Sequence, residues 1–211
     1  MLPALIIFDC DGTLVDSEVL GNEVLVAVVG EHGLELSAEE ALQVFRGGKM
    51  AECVAELERR LGLPLPDSFV PELRRRTAEV FKTSLQAVPG ALDLVRAVTG
   101  AKCVASSGPR AKIELSLAVT GLLPHFGDHI FSSYEVGIWK PAPGLFLHAA
   151  RAMGFVPEDC AVVEDSMPGF EAGLAAGMRV FAFQPHGREK DLPEGVVVVE
   201  HLAQLHQLLA G

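Results

Sequence analysis

The chain has 211 residues, 49% hydrophobic and 21% charged, with 17 Lys+Arg against 28 Asp+Glu for a net charge of −11. That length suits one domain, or one domain carrying an insertion, and the apolar fraction supports a packed core and excludes global disorder. A pI near 5.0 argues against a nucleic-acid backbone binder; despite a mean hydropathy of +0.32, apolar runs such as Leu25–Val29 and Val196–Val199 fall far short of the roughly 18–20 residues of a membrane span.

Met1-Leu2-Pro3-Ala4 places no basic residue ahead of the first apolar stretch, so no cleaved signal peptide is expected. The four cysteines (Cys10, Cys53, Cys103, Cys160) form no CxxC pair, which points to buried free thiols in a reducing cytoplasm rather than to zinc or disulfides.

In chain order, Ala4–Phe8 is a continuous apolar run that ends abruptly in Asp9-Cys10-Asp11-Gly12. Similar runs recur at Lys102–Ala105, Ala161–Val163 and Arg179–Phe183. Continuous rather than alternating apolarity predicts strands buried on both faces, as in a parallel sheet covered by helices. Between the later runs, helices are predicted over Pro109–Thr120, Pro143–Met153 and Pro168–Ala176, each with Pro near its start and Gly just past its end.

The stretch from Asp16 to Gln86 reads instead as consecutive helices. Ser37-Ala38-Glu39-Glu40 is a capping-box signature. Met50, Val54, Leu57 and Leu61 follow helical spacing and Gly62 closes that helix. A further helix starts near Ser68, with Pro71 tolerated in its first turn. The triple Arg74-Arg75-Arg76 falls in the middle of that helix and reads as a solvated face. The expected architecture is therefore α/β, a Rossmann-like doubly wound parallel sheet, residues 1–15 and 87–211, with an inserted all-helical cap, residues 16–86.

Four segments are each expected just after a predicted strand, where open α/β sheets bind ligands. Asp9 and Asp11 lie two residues apart on extended chain and so share a face, an unfavourable pairing of like charges unless a cation intervenes. An EF-hand is excluded, because Gly12 is misplaced and Leu14-Val15 are not ligands. Ser106-Ser107-Gly108 precedes a helix and offers hydroxyl and amide groups to an anion. Trp139-Lys140-Pro141 puts a lysine among apolar neighbours. Val163-Glu164-Asp165-Ser166 ends a buried strand with adjacent acids, which is costly unless they are paired or bonded by amides. Each segment alone is an ordinary turn, cap or solvated lysine; together, strand-end carboxylates, a hydroxyl and a lysine make a site for a hard metal and a phosphate.

Asp9-Cys10-Asp11-Gly12-Thr13, Ser106, Lys140 and Glu164-Asp165, in this order, resemble the four motifs of the haloacid dehalogenase superfamily. Phe8–Glu18, Trp139–Pro143 and Val163–Gly177 extend the likeness to its β-phosphoglucomutase-like branch, on the side of sugar-phosphate phosphatases of the 6-phosphogluconate phosphatase type. The resemblance implies Asp9 as nucleophile, Asp11 as general acid and base, and Lys140 as the cation that keeps Asp9 ionised and neutralises the phosphoryl group. It implies phosphate held by Ser106 and the Ser107 amide. It implies Mg²⁺ on Asp9, the Asp11 carbonyl and Asp165, with Glu164 as an outer-shell or occasional inner ligand. Substrate contacts are expected from Arg46 and Lys49, in a Gly-rich turn between two predicted helices. The partner is then a small phosphorylated metabolite, the protein a monomer or small homo-oligomer, with neither nucleic acid nor membrane involved. Where mutases of the branch carry a histidine in the first cap helix, this chain has Gly21, which favours water as phosphoryl acceptor. Asp11 speaks against a dehalogenase, the cap lysines Lys49 and Lys82 do not suit a phosphonatase, and the complete acid set speaks against a non-catalytic binding protein. None of the seven histidines is assigned a role.

Overall fold

A computed structural model describes residues 2–45, 49–185, 187 and 191–210. Strand β1 (Leu5–Phe8) is followed by four helices: α1 (Glu18–Gly30), α2 (Ala38–Phe45), α3 (Met50–Leu61) and α4 (Phe69–Ser84). Then come α5 (Ala91–Ala97), β2 (Ala101–Ser106), α6 (Arg110–Val119), β3 (Ile130–Ser132), α7 (Ser133–Val136), α8 (Gly144–Met153), β4 (Cys160–Glu164), α9 (Met167–Ala175), β5 (Arg179–Phe183), β6 (Val196–Val199) and α10 (Leu202–Ala210).

The six strands form one parallel sheet in the order β3-β2-β1-β4-β5-β6, an α/β Rossmann-like arrangement as expected. The order reverses at β1, whose Phe8 pairs with Val104 on one side and Val163 on the other. The central strands are apolar throughout because both faces are covered. Ile6, Phe8, Val104 and Val163 pack into one core layer, and Leu5, Ile7, Cys103 and Val162 into the other. The four predicted strands are present to within two residues at each end.

Sequence periodicity did not announce β3 and β6, which form the two sheet edges. An edge strand has a neighbour on one side only: β3 is three residues long, and β6, although its run Val196–Val199 is as long as β1, leaves Val197 and Val198 exposed. The cap signals hold up: Ser37 N donates to Glu40 Oε2 at 3.0 Å while Glu40 N donates to Ser37 Oγ at 3.1 Å. Gly62, at φ +72°, closes α3 in the left-handed conformation.

Helices α1, α3 and α4 bury a cluster of their own around Val28, Leu57, Phe69 and Leu73. The chain leaves and re-enters the sheet layer side by side: Asp16 N donates to Gln86 O at 3.0 Å, and Val15 bridges to Ala87. Among the described residues no helix is long and apolar enough to cross a membrane. Gly21 lies inside α1 with open space where a methyl group would go. Gly21→Ala is expected to stabilise the protein by about 0.5–1 kcal/mol, read as a rise of roughly 2–4 °C in Tm by thermal melting.

Candidate active site

Asp9 directly follows β1, Ser106 ends β2 and Glu164 ends β4, so three adjacent strands deliver these side chains to the crevice where the sheet order reverses. Lys140 reaches the same point from the loop after α7. Its ammonium lies 2.5 Å from Asp9 Oδ1 and 2.6 Å from Glu164 Oε1, all three groups being buried.

Glu164 makes contacts through both oxygens. While Oε1 accepts from Lys140, Oε2 accepts from Asp165 N at 2.8 Å, Ser166 N at 2.7 Å and Ser166 Oγ at 2.9 Å. A carboxylate so occupied orients Lys140 and the α9 entrance and has little left for direct metal ligation. Ser166 is the N-cap of α9, its hydroxyl accepting from Gly169 N at 3.3 Å. Gly12 (φ +78°) and Gly169 are the two glycines whose lack of a side chain the site requires. A Cβ on the first would collide with the Asp165 carboxylate, and one on the second with the Glu164 carboxylate. Asp165 also accepts from Thr13 Oγ1 at 3.2 Å, and its backbone carbonyl from Gln184 Nε2 at 3.0 Å.

Burial pushes the Asp9 carboxyl well above the usual carboxylate range; Lys140 pulls it down, and Glu164, Asp165 and Asp11 push it further up. Burial alone would lower the Lys140 pKa, but Asp9 and Glu164 carry it above the ordinary lysine value. Asp11 has a separate partner. Lys112 Nζ lies 2.8 Å from Asp11 Oδ1, which also accepts from Ser17 Oγ at 2.6 Å. Desolvation would raise the Asp11 pKa, and Lys112 and Ser17 more than offset it, leaving a lowered value. Four carboxyl groups thus meet two ammonium groups in a poorly solvated place, and with all four ionised they would leave two negative charges in excess. No three His, Cys, Asp or Glu side chains among the described residues are spaced to hold an ion unaided. The donor set instead fits a hard divalent cation that takes one or two carboxylates, a carbonyl, water and phosphate oxygens, and whose charge would balance the excess.

These groups line a cavity of about 450 Å³ shared by the sheet and the helical insert. Ser106 and Ser107 line it, as do Asp9, Asp11, Lys140, Glu164 and Asp165, and so do residues of α1, α3 and α4. Gly21 is among the lining residues. Arg46, with Gly47 and Gly48, lies outside the described residues, as does His186. Lys49 is not a lining residue; its ammonium sits 4.3 Å from the centre of the Trp139 ring.

The arginine run is a solvated face, as expected, with one addition. Arg75 and Arg76 are paired to glutamates at the surface, and Arg74, exposed as well, also lines the cavity and donates to Tyr134 Oη at 3.1 Å. Residue type alone does not reveal which member of an exposed helical triplet also borders a cavity. Lys112, Ser17 and Tyr134 were likewise not singled out. For Lys112 there was a signal. A lysine in the first turn of a helix opposes the helix dipole, and its position just after a strand end implies an acidic partner.

Comparison with known proteins agrees with the fold. A family model for haloacid dehalogenase-like hydrolases matches residues 3–177. The chain is 38% identical over 206 residues to the 6-phosphogluconate phosphatase of Escherichia coli K12, covering 96% of this chain and 93% of that one. Two crystal structures superpose over almost the whole length. One, of a haloacid dehalogenase-like protein from Agrobacterium tumefaciens, has a TM-score of 0.80 at 30% identity, covering 98% of this chain and 97% of that one. The other, of a hydrolase of the same family from Deinococcus radiodurans with bound phosphate and sodium, has a TM-score of 0.77 at 31% identity, covering 98% and 95%. The sheet order, the motif-bearing strand ends and these matches lead to one assignment: the chain belongs to the haloacid dehalogenase-like hydrolases.

Proposed function

We propose that the protein is a Mg²⁺-dependent phosphatase acting on a small phosphorylated metabolite, a sugar or sugar-acid phosphate, through an aspartyl-phosphate intermediate. The observation that carries this reading is the convergence of Asp9, Asp11, Asp165 and Lys140 at the reversal point of the sheet, with two negative charges in excess once all four carboxyl groups of the site are ionised. The substrate class of the Escherichia coli relative supports it.

In this reading Asp9 attacks phosphorus, forming the Asp9 Oδ–P bond as the ester P–O bond breaks. Asp11, paired to Lys112 and Ser17 in the free site, must first leave them and take a proton from solvent; it gives that proton to the leaving alkoxide, then takes one from the water that attacks the acyl phosphate, so that Asp9 and inorganic phosphate are regenerated. Ser106 and the Ser107 amide hold phosphoryl oxygens, and Lys140, steadied by Glu164, offsets negative charge beside Asp9. Asp9, the Asp11 carbonyl and Asp165 would hold Mg²⁺, with Glu164 in the outer shell. Bound there, the ion supplies charge neutralisation that lets a carboxylate approach a phosphate. The helical insert, residues 16–86, acts as a cap over a core of residues 1–15 and 87–211. Its separate cluster and the paired crossings at Asp16–Gln86 and Val15–Ala87 support that division. Gly21 in the cavity wall leaves no side chain there to take the proton from a bound sugar hydroxyl and so direct the phosphoryl group back to the sugar, in keeping with water as acceptor.

Phosphate release from a panel of sugar and sugar-acid phosphates tests the reading, with isomerisation of β-glucose 1-phosphate measured alongside. Release is expected to exceed isomerisation; the reverse would replace hydrolysis by mutase chemistry. EDTA is expected to reduce release to background and added Mg²⁺ to restore it. Mg²⁺ is also expected to raise Tm, because an ion bound only by the folded state stabilises that state. Indifference of both rate and Tm to chelation would remove the metal from the proposal.

A further inference from the structure

The three arginines of α4 have unlike surroundings. Arg75 is matched by Glu72 and Glu79, and Arg76 by Glu31 and Glu72. Arg74 makes no ion pair among the described residues. One of its terminal nitrogens donates to Tyr134 Oη, and its Cζ lies 5.3 Å from the centre of the Tyr134 ring. The remaining guanidinium N–H groups find no protein acceptor among the described residues. Of the lysines and arginines lining the cavity among the described residues, Lys140 and Lys112 are matched by carboxylates, so Arg74 alone keeps an uncompensated charge.

Its neighbours in that wall do not suggest a purely structural purpose. Leu25, Met50, Leu73 and Phe81 alternate on the insert side with Ser17, Glu18, Asn22 and Thr77, and the exposed Arg74 guanidinium is the cation there among the described residues. Tyr134 is neutral, so it orients the guanidinium without discharging it. Stacking on the ring reduces the freedom that anion binding would otherwise have to freeze. A planar fork held in this way suits bidentate binding of a carboxylate or a phosphate.

We propose that Arg74 is a specificity-determining residue that binds a second anionic group, carboxylate or phosphate, at the end of the substrate remote from the transferred phosphoryl group. This rests on the phosphatase reading and narrows its substrate class to phosphate esters that carry two anionic groups. Ser106, Lys140 and the metal site would serve the phosphoryl group and Arg74 the second anion, and all of them line the same cavity.

The test uses matched substrate pairs with the full-length protein in Mg²⁺. In the first pair, 6-phosphogluconate and glucitol 6-phosphate differ by a carboxylate against a hydroxymethyl group. In the second, fructose 1,6-bisphosphate and fructose 6-phosphate differ by a remote phosphate. The wild type is expected to favour the doubly anionic member of at least one pair in kcat/KM. In Arg74→Met that preference is expected to fall by about tenfold or more, through KM, and Arg74→Lys to recover part of it. The pair that responds identifies the anion as carboxylate or phosphate. Equal losses on both members of each pair would make Arg74 a structural latch on Tyr134 and overturn the proposal, as would an unchanged ratio. Release by the wild type without discrimination in either pair overturns this proposal alone. Absence of release from all four esters overturns the phosphatase reading and this one with it.

Discussion

Asp9→Asn is expected to lower phosphate release by on the order of 10⁴-fold or more, since an amide cannot form the acyl phosphate and groups acting with it cannot substitute. The protein should remain folded. Burial, with Glu164, Asp165 and Asp11 adding to it, holds the Asp9 pKa well above its unfolded value against the pull of Lys140. An acid with a raised folded-state pKa contributes stability at low pH that is lost as pH rises through that value. Asparagine removes the ionisation and with it the loss. Metal-free Asp9→Asn should therefore melt at or above metal-free wild type at neutral pH, and the difference should shrink in acid. Retained turnover would rule out Asp9 as nucleophile. A large fall in Tm would show that the Lys140 pairing, not the crowding of acids, governs this position.

Gly169→Ala is expected to be the most damaging single-methyl change in the site. Gly169 lies in the first turn of α9, and a Cβ there would occupy the space of the Glu164 carboxyl group. Displacing Glu164 breaks its bond to Lys140 and the three hydrogen bonds from Asp165 N, Ser166 N and Ser166 Oγ. Breaking a buried pair while leaving its charges in place costs about 3–5 kcal/mol, or on the order of 10 °C in Tm for a chain of this size. Activity should fall in parallel, because Lys140 loses one of the two carboxylates that hold it beside Asp9. Thermal melts and phosphate release measured on the same preparation check both effects. A Tm within 2 °C of wild type would mean that Glu164 relocates without loss and does not anchor the site.

Much of this site was legible in the residues because its parts are local. A strand buried on both faces must be apolar along its length, so the point where polarity returns marks the strand end, and at Asp9, Ser106 and Glu164 the chemistry begins within a residue of that point. Helix boundaries were legible for the same reason, as at Ser37 with Glu40 and at Gly62. The edge strands β3 and β6 were not: β3 spans only three residues, and the short run Val196–Val199 does not by itself tell a strand from a buried helix segment.

Residue order and type determined the α/β class, the helical insert, the four motifs and their sequence along the chain. Tertiary packing decided which charges meet. Lys112 pairs with Asp11 across 101 residues, and Arg74 reaches Tyr134 across 60. In the sequence, Arg74, Arg75 and Arg76 are equivalent, and so are two acids standing side by side at Glu164 and Asp165. Only packing made Arg74 a cavity residue beside two surface ion pairs. It also saturated Glu164 with donors while Asp165 turned toward Thr13 and Gln184. The reason is physical: periodicity and capping are set by neighbours within a few residues, whereas partnership between charges depends on which helix face comes to rest against which strand end.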